Sequence, residues 1–287
     1  MAIGLACENK AREYDFTQHD FERIKKLIYD RAGISLSSSK QNMVYSRLAR
    51  RLRINGLNNF SEYLSILERG VPEEWEAFTN ALTTNLTAFF REQHHFPILA
   101  QHMESRKNQK QIQLWCSASS TGEEPYSMAM AAVKAFKSFT PPVHILATDL
   151  DTNVLAKAQE GVYLMERLEK LPKDKLRQFF LKGKGSQAGS ARVRQELRNM
   201  ITFRQLNLLD ETWPIRGPFD AIFCRNVMIY FDKSTQYKIL KKFTPLLAPD
   251  GLLFAGHSES FQHAADLFKL REKTVYELVR YQKVRNG

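Results

Sequence analysis

The segment LWCSASSTGEEPYSMAMA, residues 114–131, opens as a strand and closes as a helix. Leu114, Trp115 and Cys116 end an apolar run, and the residues from Glu123 onward suit a buried helix. Between them lie small residues, one glycine, two glutamates and a proline. Strand–turn–helix is the building unit of a parallel α/β sheet, which binds its ligands at the carboxyl ends of its strands. A pyrophosphate at such a turn asks for several glycines and a helix N-terminus free of anions. Here Glu123 and Glu124 open the helix, so the turn favours positive charge over phosphate. Acidic residues in a first helical turn are also ordinary dipole partners, and for Glu123 both readings stay open.

Outward from this turn the chain alternates. QIQLWCSA, VHILATDL, ITFRQLNLL, FDAIFCRNV and GLLFAGHSE each read as a short apolar strand, with helical stretches such as TQYKILKKFTPLLAPDG between most of them. This implies a doubly wound parallel sheet covered on both faces. LFKLREKTVYELVR reads as two terminal strands on an antiparallel edge. The connection from Asp149 to ITFRQ runs far beyond the need of one crossover helix. Residues 160–203 are therefore read as a helix plus an inserted small sheet or a mobile loop. GKGSQAG within it lacks the GK[ST] ending of a phosphate loop and reads as a hairpin tip.

The first part is helical. In FTQHDFERIKKLIYDRAG, Phe21, Ile24, Leu27, Ile28 and Ala32 fall at helical spacing, with Thr17 or Asp20 to cap the start and Gly33 to stop it. Val44, Tyr45, Leu48 and Leu52 mark a second helix ended by Gly56, and NFSEYLSILERG and PEEWEAFTNALTT two more. The expected division is a helical domain over residues 1–84 and an α/β domain over 85–287.

The 287 residues, 43% hydrophobic and 25% charged, suit one large or two smaller soluble domains. Cys7, Cys116 and Cys224 are scattered and odd in number, without CxxC or Cys/His spacing. Neither a disulfide framework nor a metal site is expected, and the redox setting reads as cytoplasmic. No apolar run reaches the roughly 18 residues of a membrane span. The first residues lack the basic start of a signal peptide. The net charge of +11 favours acidic partners without naming them.

The strand ends carry the candidate ligand residues. They are the run from Cys116 to Pro125, then Thr148-Asp149, Asn207-Leu208 and Arg225-Asn226, with Tyr230 beyond. A carboxylate after the second strand suits both hydroxyls of a ribose. An asparagine side chain matches an adenine edge with one donor and one acceptor. With acids in place of glycines, the set suits an adenosine bearing an ammonium and a sulfonium, S-adenosylmethionine.

TTNLTAFFRE (83–92), STGEEPYS (120–127), FDAIFCRNVMIYFD (219–232) and PDGLLFAGHSE (249–259) closely resemble the chemotaxis receptor methyltransferases of the CheR family, in their enterobacterial form. The resemblance runs from about residue 16 to 280. It implies a helical receptor-recognition domain, a Rossmann-like S-adenosylmethionine methyltransferase domain and an inserted antiparallel β-subdomain. It also implies an O-methyltransferase for glutamates on chemoreceptor helices, with S-adenosylhomocysteine as the second product. Cofactor contacts are implied at Asn85, Thr87, Arg91, Ala118 through its backbone, Glu124, Asp149, Asn207, Leu208, Arg225 and Asn226. The departure is CSAS before STGEEP, which leaves Cys116 as a packing residue.

A glutamate is already ionised at neutral pH and needs no general base to attack an activated methyl. Positioning is the task, and Arg91 and Tyr230 are the candidates for holding the incoming carboxylate. His94 and His95 adjoin Arg91, but adjacent residues do not share a helix face, so a capping or packing role is expected. Arg47, Arg50, Arg51 and Arg53 crowd one short helix. A solvated face is the ordinary explanation, while arginine also suits a carboxylate grip, and the resemblance implies that this helix meets the acidic methylation region of the receptor. It leaves open whether the insert docks a receptor tail. Two rivals remain, a nucleic-acid methyltransferase and a non-catalytic adaptor. Against the first stand the missing Pro-Cys nucleophile and [DN]PP[YF] motif, so no nucleic-acid partner and no membrane insertion are expected, only recruitment to receptor clusters.

Overall fold

The structure is a computed structural model and describes residues 12–83 and 85–279. Cys7 and the signal-peptide reading of the first residues lie outside the described residues. The chain divides into two compact units, Met1–Thr83 and Thr84–Gly287.

The first unit is helical: α1 (Gln18–Ala32), α2 (Gln41–Ile54), α3 (Phe60–Glu68) and α4 (Pro72–Leu82). Thr17 and Asp20 form a reciprocal capping box at the start of α1, satisfying N–H groups that a helix start leaves unpaired. Gly33 ends α1 in the left-handed region at φ 64°, its N–H donating to the Tyr29 carbonyl. Phe21, Ile24 and Ile28 of α1, Val44, Leu48 and Leu52 of α2, and Phe60, Leu64 and Phe78 of the last two helices are buried. This is the stripe spacing expected of helices that share one core.

The second unit begins with α5 (His95–Glu104), β1 (Ile112–Cys116), α6 (Glu123–Phe136), β2 (Val143–Asp149) and α7 (Thr152–Glu160). An insert follows: β3 (Val162–Leu164), α8 (Met165–Leu168), α9 (Lys173–Phe179), β4 (Phe180–Lys182), β5 (Ser190–Val193) and α10 (Gln195–Asn199). The chain resumes with β6 (Ile201–Gln205), β7 (Phe219–Cys224), α11 (Lys233–Phe243), β8 (Leu247–Ala255), β9 (Phe268–Glu272) and β10 (Val275–Leu278).

The large sheet has the order β6-β2-β1-β7-β8-β10-β9. From β6 to β8 the pairs are parallel, and β10 joins β8 and β9 antiparallel. The strand order reverses between β1 and β7, which puts a topological switch point beside residues 117–122. Each face is covered. Leu114, Ile145 and Phe223 belong to one apolar cluster with α5 and α6. Trp115, Ile222 and Leu253 belong to the other with Phe243 of α11. Helix α6 is buried all round from Glu123 to Val133. Its alanines let strands and helices approach closely, and a helix without a polar face has to be interior.

The insert is a three-stranded antiparallel sheet in the order β3-β5-β4. The GKGSQAG stretch joins β4 to β5 and closes with the Gly183 N–H on the Ser190 carbonyl. A strand follows it where a phosphate loop would need a helix.

Candidate active site

Main-chain bonds stitch the turn after β1 to both neighbouring strands. The Ser117 N–H donates to the Phe223 carbonyl at 2.9 Å and the Ser119 N–H to the Thr148 carbonyl at 2.8 Å. Ser120 lies at φ 46° and Gly122 at φ 97°. A Cβ on Gly122 would stand 2.9 Å from both the Ala158 Cβ and the Tyr163 hydroxyl. One glycine suffices because Ser120 itself takes the other left-handed position. The Ser120 N–H donates to Asp149 Oδ2 at 2.8 Å, and the Asp151 N–H to Asp149 Oδ1 at 3.0 Å. A carboxylate oxygen can accept more than one hydrogen bond. Burial pushes the Asp149 carboxyl up to about 6, against main-chain bonds from Asp151, Ser120 and Leu150. Asn85 joins this cluster: its carbonyl accepts from Ser120 Oγ at 3.3 Å and its amide donates to Asp151 at 2.8 Å. Ala118 and Thr87 are partly buried.

A second cluster is built around Arg225. Its Nη1 donates to Glu124 Oε2 at 2.5 Å, its Nη2 donates to the Arg91 carbonyl at 2.6 Å, and Nη2 lies 3.4 Å from Glu92 Oε2. The Arg225 side chain is 0% exposed. The guanidinium is thus enclosed by protein and holds three partners. Cys116 is buried and donates to Glu124 Oε1 at 3.2 Å. Burial pushes the Glu124 carboxyl up, while Arg225 pulls it down. Burial also works against charge on Glu92, but the His257 ring and main chain and the nearby Arg225 hold that carboxyl down to about 2. Two carboxylates against one guanidinium leave this cluster with an anionic excess.

Glu92 is a residue that the sequence reading passed over, although it closes the FFRE motif. Phe90 and Glu92 take φ 52° and 54° on either side of Arg91. Left-handed non-glycine residues cost roughly 1–2 kcal/mol each. The Phe90 N–H on Ser127 Oγ at 2.9 Å and the partners of Glu92 hold them there. Arg91 itself is partly exposed, with Nη1 on the Leu86 carbonyl at 2.9 Å.

At the end of β7, Asn226 lies at φ 58°. The Glu259 carboxylate accepts the N–H groups of Asn226, Val227, Met228 and Gly256. Glu259 was also passed over, although GHSE carries it. Tyr230 follows in a short 3-10 turn, partly buried, its hydroxyl without a partner among the described residues. At the end of β6, Asn207 Oδ1 accepts the Leu209 N–H at 3.0 Å, and Leu208 is buried.

Glu92, His94 and His95 present ligand atoms within 4.8 Å of one another, a cluster that sequence adjacency hid. Arg225 approaches the same Glu92 oxygen, and burial, Arg225 and Lys273 together lower the His95 ring to about 3. The ring of His95 is packed against Phe223 and Phe254, with Nε2 2.7 Å from Thr274 Oγ1. This is the packing role expected of it.

In the helical unit the four arginines of α2 part company. Arg47 donates to the carbonyls of Ala81, Leu82 and Thr83, capping α4. Arg51 forms a two-pronged ion pair with the buried Glu74, at 3.0 and 2.6 Å. Arg53 pairs with Glu13 at an exposed position. Arg50 is exposed without a partner among the described residues. Arg47 and Arg51 thus hold the helices together, while Arg50 and Arg53 keep exposed side chains.

A family model described as CheR methyltransferase, SAM binding domain, matches residues 85–277, and one described as CheR methyltransferase, all-alpha domain, matches residues 19–83. The chain is 52% identical over 266 residues to chemotaxis protein methyltransferase 2 of Pseudomonas aeruginosa, covering 92% of this chain and 95% of that one. It is 53% identical over 259 residues to the chemotaxis protein methyltransferase of Escherichia coli, covering 90% of each. The Salmonella typhimurium counterpart is 54% identical over 259 residues, 90% of this chain and 89% of that one.

Proposed function

The chain belongs to the CheR methyltransferase family, and on that premise we propose that it methylates glutamate side chains of chemoreceptors, giving glutamyl methyl esters and S-adenosylhomocysteine. The observation that carries this reading is the turn of residues 117–122 closed onto Asp149, beside the anionic excess of Glu92 and Glu124. The buried Glu124 at the start of α6 and the few glycine N–H groups fit a cationic adenosine and not a pyrophosphate.

S-adenosylmethionine, when bound, supplies a methyl group activated by its sulfonium. The spare lone pairs of Asp149 accept its ribose hydroxyls. Asn85, Thr87, Ala118, Asn207, Leu208 and Asn226 line the rest. Glu124 adds negative charge, and Arg225 orients Glu124 and the Arg91 main chain instead of touching the ligand. The acceptor glutamate is ionised at neutral pH, so the chain needs no base. Arg91, with most of its donors uncommitted, and Tyr230, with a free hydroxyl, orient that carboxylate and exclude water.

On the receptor side, Arg50 and the exposed Arg53 suit carboxylates of the methylation helices. In the insert, β4 pairs with β5 and with no other strand among the described residues, and its Leu181 is exposed. That free edge suits an extended receptor tail added as a strand. The enzyme would act in the cytoplasm, recruited to receptor clusters; among the described residues no helix is long and apolar enough to cross a membrane.

The test is incubation with methyl-labelled S-adenosylmethionine and a receptor cytoplasmic fragment, beside the same fragment with its methylation-region glutamates changed to alanine. Base-labile label on the first fragment alone is the expected result. Label on added RNA, or binding to the receptor without label on anything, would overturn it.

A further inference from the structure

The insert does more than offer a free edge, because two of its side chains reach the turn after β1. The Tyr163 hydroxyl, from β3, donates to the Thr121 carbonyl at 2.7 Å. Arg167, from α8, donates to Glu123 Oε1 at 2.8 Å. Glu123 is 1% exposed, and its other oxygen accepts from Thr121 Oγ1 at 2.6 Å. The Tyr163 ring packs edge-on against Phe89 at 5.0 Å, and Phe180 of β4 meets the Phe89 ring at 5.5 Å. Phe89 belongs to the loop that carries Arg91.

We propose that Tyr163 and Arg167 are positioning residues for the S-adenosylmethionine turn, a proposal that rests on the function just argued. The turn has two restraints of different origin. Ser117 and Ser119 tie it to the sheet from within. Tyr163 and Arg167 clamp its outer side at Thr121 and Glu123, next to Gly122, where no side chain fits. Ser120 lies between the two restraints, and its N–H is what fixes one oxygen of Asp149. A buried carboxylate needs compensation, and Arg167 supplies it for Glu123. Without that partner the Glu123–Thr121 pair loses its anchor, and the angle at which Ser120 meets Asp149 becomes free to vary. The clamp acts through the turn, so its loss is read in the affinity for S-adenosylmethionine before anything else.

The experiment compares the wild-type protein with Arg167→Met, Arg167→Lys and Tyr163→Phe. S-adenosylmethionine binding is measured by calorimetry, KM for each substrate in the methylation assay, and Tm by thermal melt. Arg167 is partly exposed, so the substitution to methionine is compatible with folding. Arg167→Met is expected to raise Kd and KM for S-adenosylmethionine by about three- to tenfold, the range of one partly exposed charge-assisted bond. KM for receptor is expected to stay unchanged, Arg167→Lys to recover most of the loss, and Tyr163→Phe to shift the same two constants by a smaller factor. Unchanged S-adenosylmethionine affinity in folded Arg167→Met would overturn the proposal. So would an equal rise in both KM values, or a lysine variant no better than methionine. A wild-type protein that fails to bind S-adenosylmethionine at all would instead bring down the function on which the proposal rests, and the proposal with it.

Discussion

Glu259 accepts the Asn226 N–H at 2.9 Å, and the same carboxylate takes the N–H groups of Val227, Met228 and Gly256. Thus one side chain after β8 sets the shape of the loop after β7. Gly256 makes room for this, since a Cβ there would stand 2.4 Å from the Asn226 amide nitrogen. Glu259→Ala is expected to cost about 2–4 kcal/mol, because four buried or part-buried N–H groups lose this acceptor together. Urea unfolding measures the loss. Glu259→Gln should recover less than half, its amide nitrogen facing donors with a donor.

Asp149 trades stability for binding. Its folded value of about 6 lies above the ordinary 3.8, so the carboxylate costs stability above pH 6. That cost disappears as pH falls through 6 towards 3.8. Asp149→Asn removes that charge but sets an amide N–H against the Ser120 or Asp151 N–H, so its melting point at pH 7.5 should stay close to that of wild type. Its S-adenosylmethionine affinity should fall by roughly 1.5–3 kcal/mol, as charge-assisted bonds to the ribose are lost. In wild type the affinity should weaken as pH drops below about 6. Calorimetry from pH 5 to 8 on both proteins tests all three expectations.

Glu92 runs the other way. Its folded value of about 2 lies below the ordinary 4.5. The stability it contributes is fully present above pH 4.5 and is lost as pH falls towards 2, up to about 3 kcal/mol. Glu92→Gln should flatten the acid limb of the stability curve, read from denaturant unfolding between pH 2 and 6. An unchanged limb would mean that the Arg225 and His257 contacts contribute nothing net.

The arginines of α2 should separate in experiment as they do in structure. Arg51→Ala leaves Glu74 buried with its Asn55 bond at 3.1 Å and should cost about 2 kcal/mol in stability. Arg50→Glu should leave Tm unchanged and raise KM for receptor, with a difference from wild type that shrinks as salt rises. Identical receptor kinetics at low salt would mark Arg50 as part of a solvated face.

The strands, the helices and the turn were legible because they depend on local pattern. Apolar runs buried on two faces, a capping box at Thr17 and a strand–turn–helix at residues 114–131 are properties of neighbours in the chain. The rule that ligands gather at strand ends then led to Asp149, Asn207 and Asn226 without a tertiary structure. Motif resemblance added Arg91 and Tyr230, and the hairpin reading of GKGSQAG followed from the absent GK[ST] ending.

The partner of each charge was not legible, because charge pairing ignores chain distance. Arg225 stands far along the chain from Glu92, Arg91 and Glu124, and only the packing of β7 against β1 and of α5 against the sheet brings them into one buried cluster. The same holds for Arg51 and Glu74, for Glu259 beneath Asn226, and for Arg167 against Glu123. In the sequence each of these arginines is simply a cation, equally suited to solvent, ligand or partner. By itself, therefore, the sequence determined the elements, their order and the candidate residues at the strand ends. Only the tertiary structure decided which charges remain for a ligand, because burial makes an unpaired charge too costly to keep.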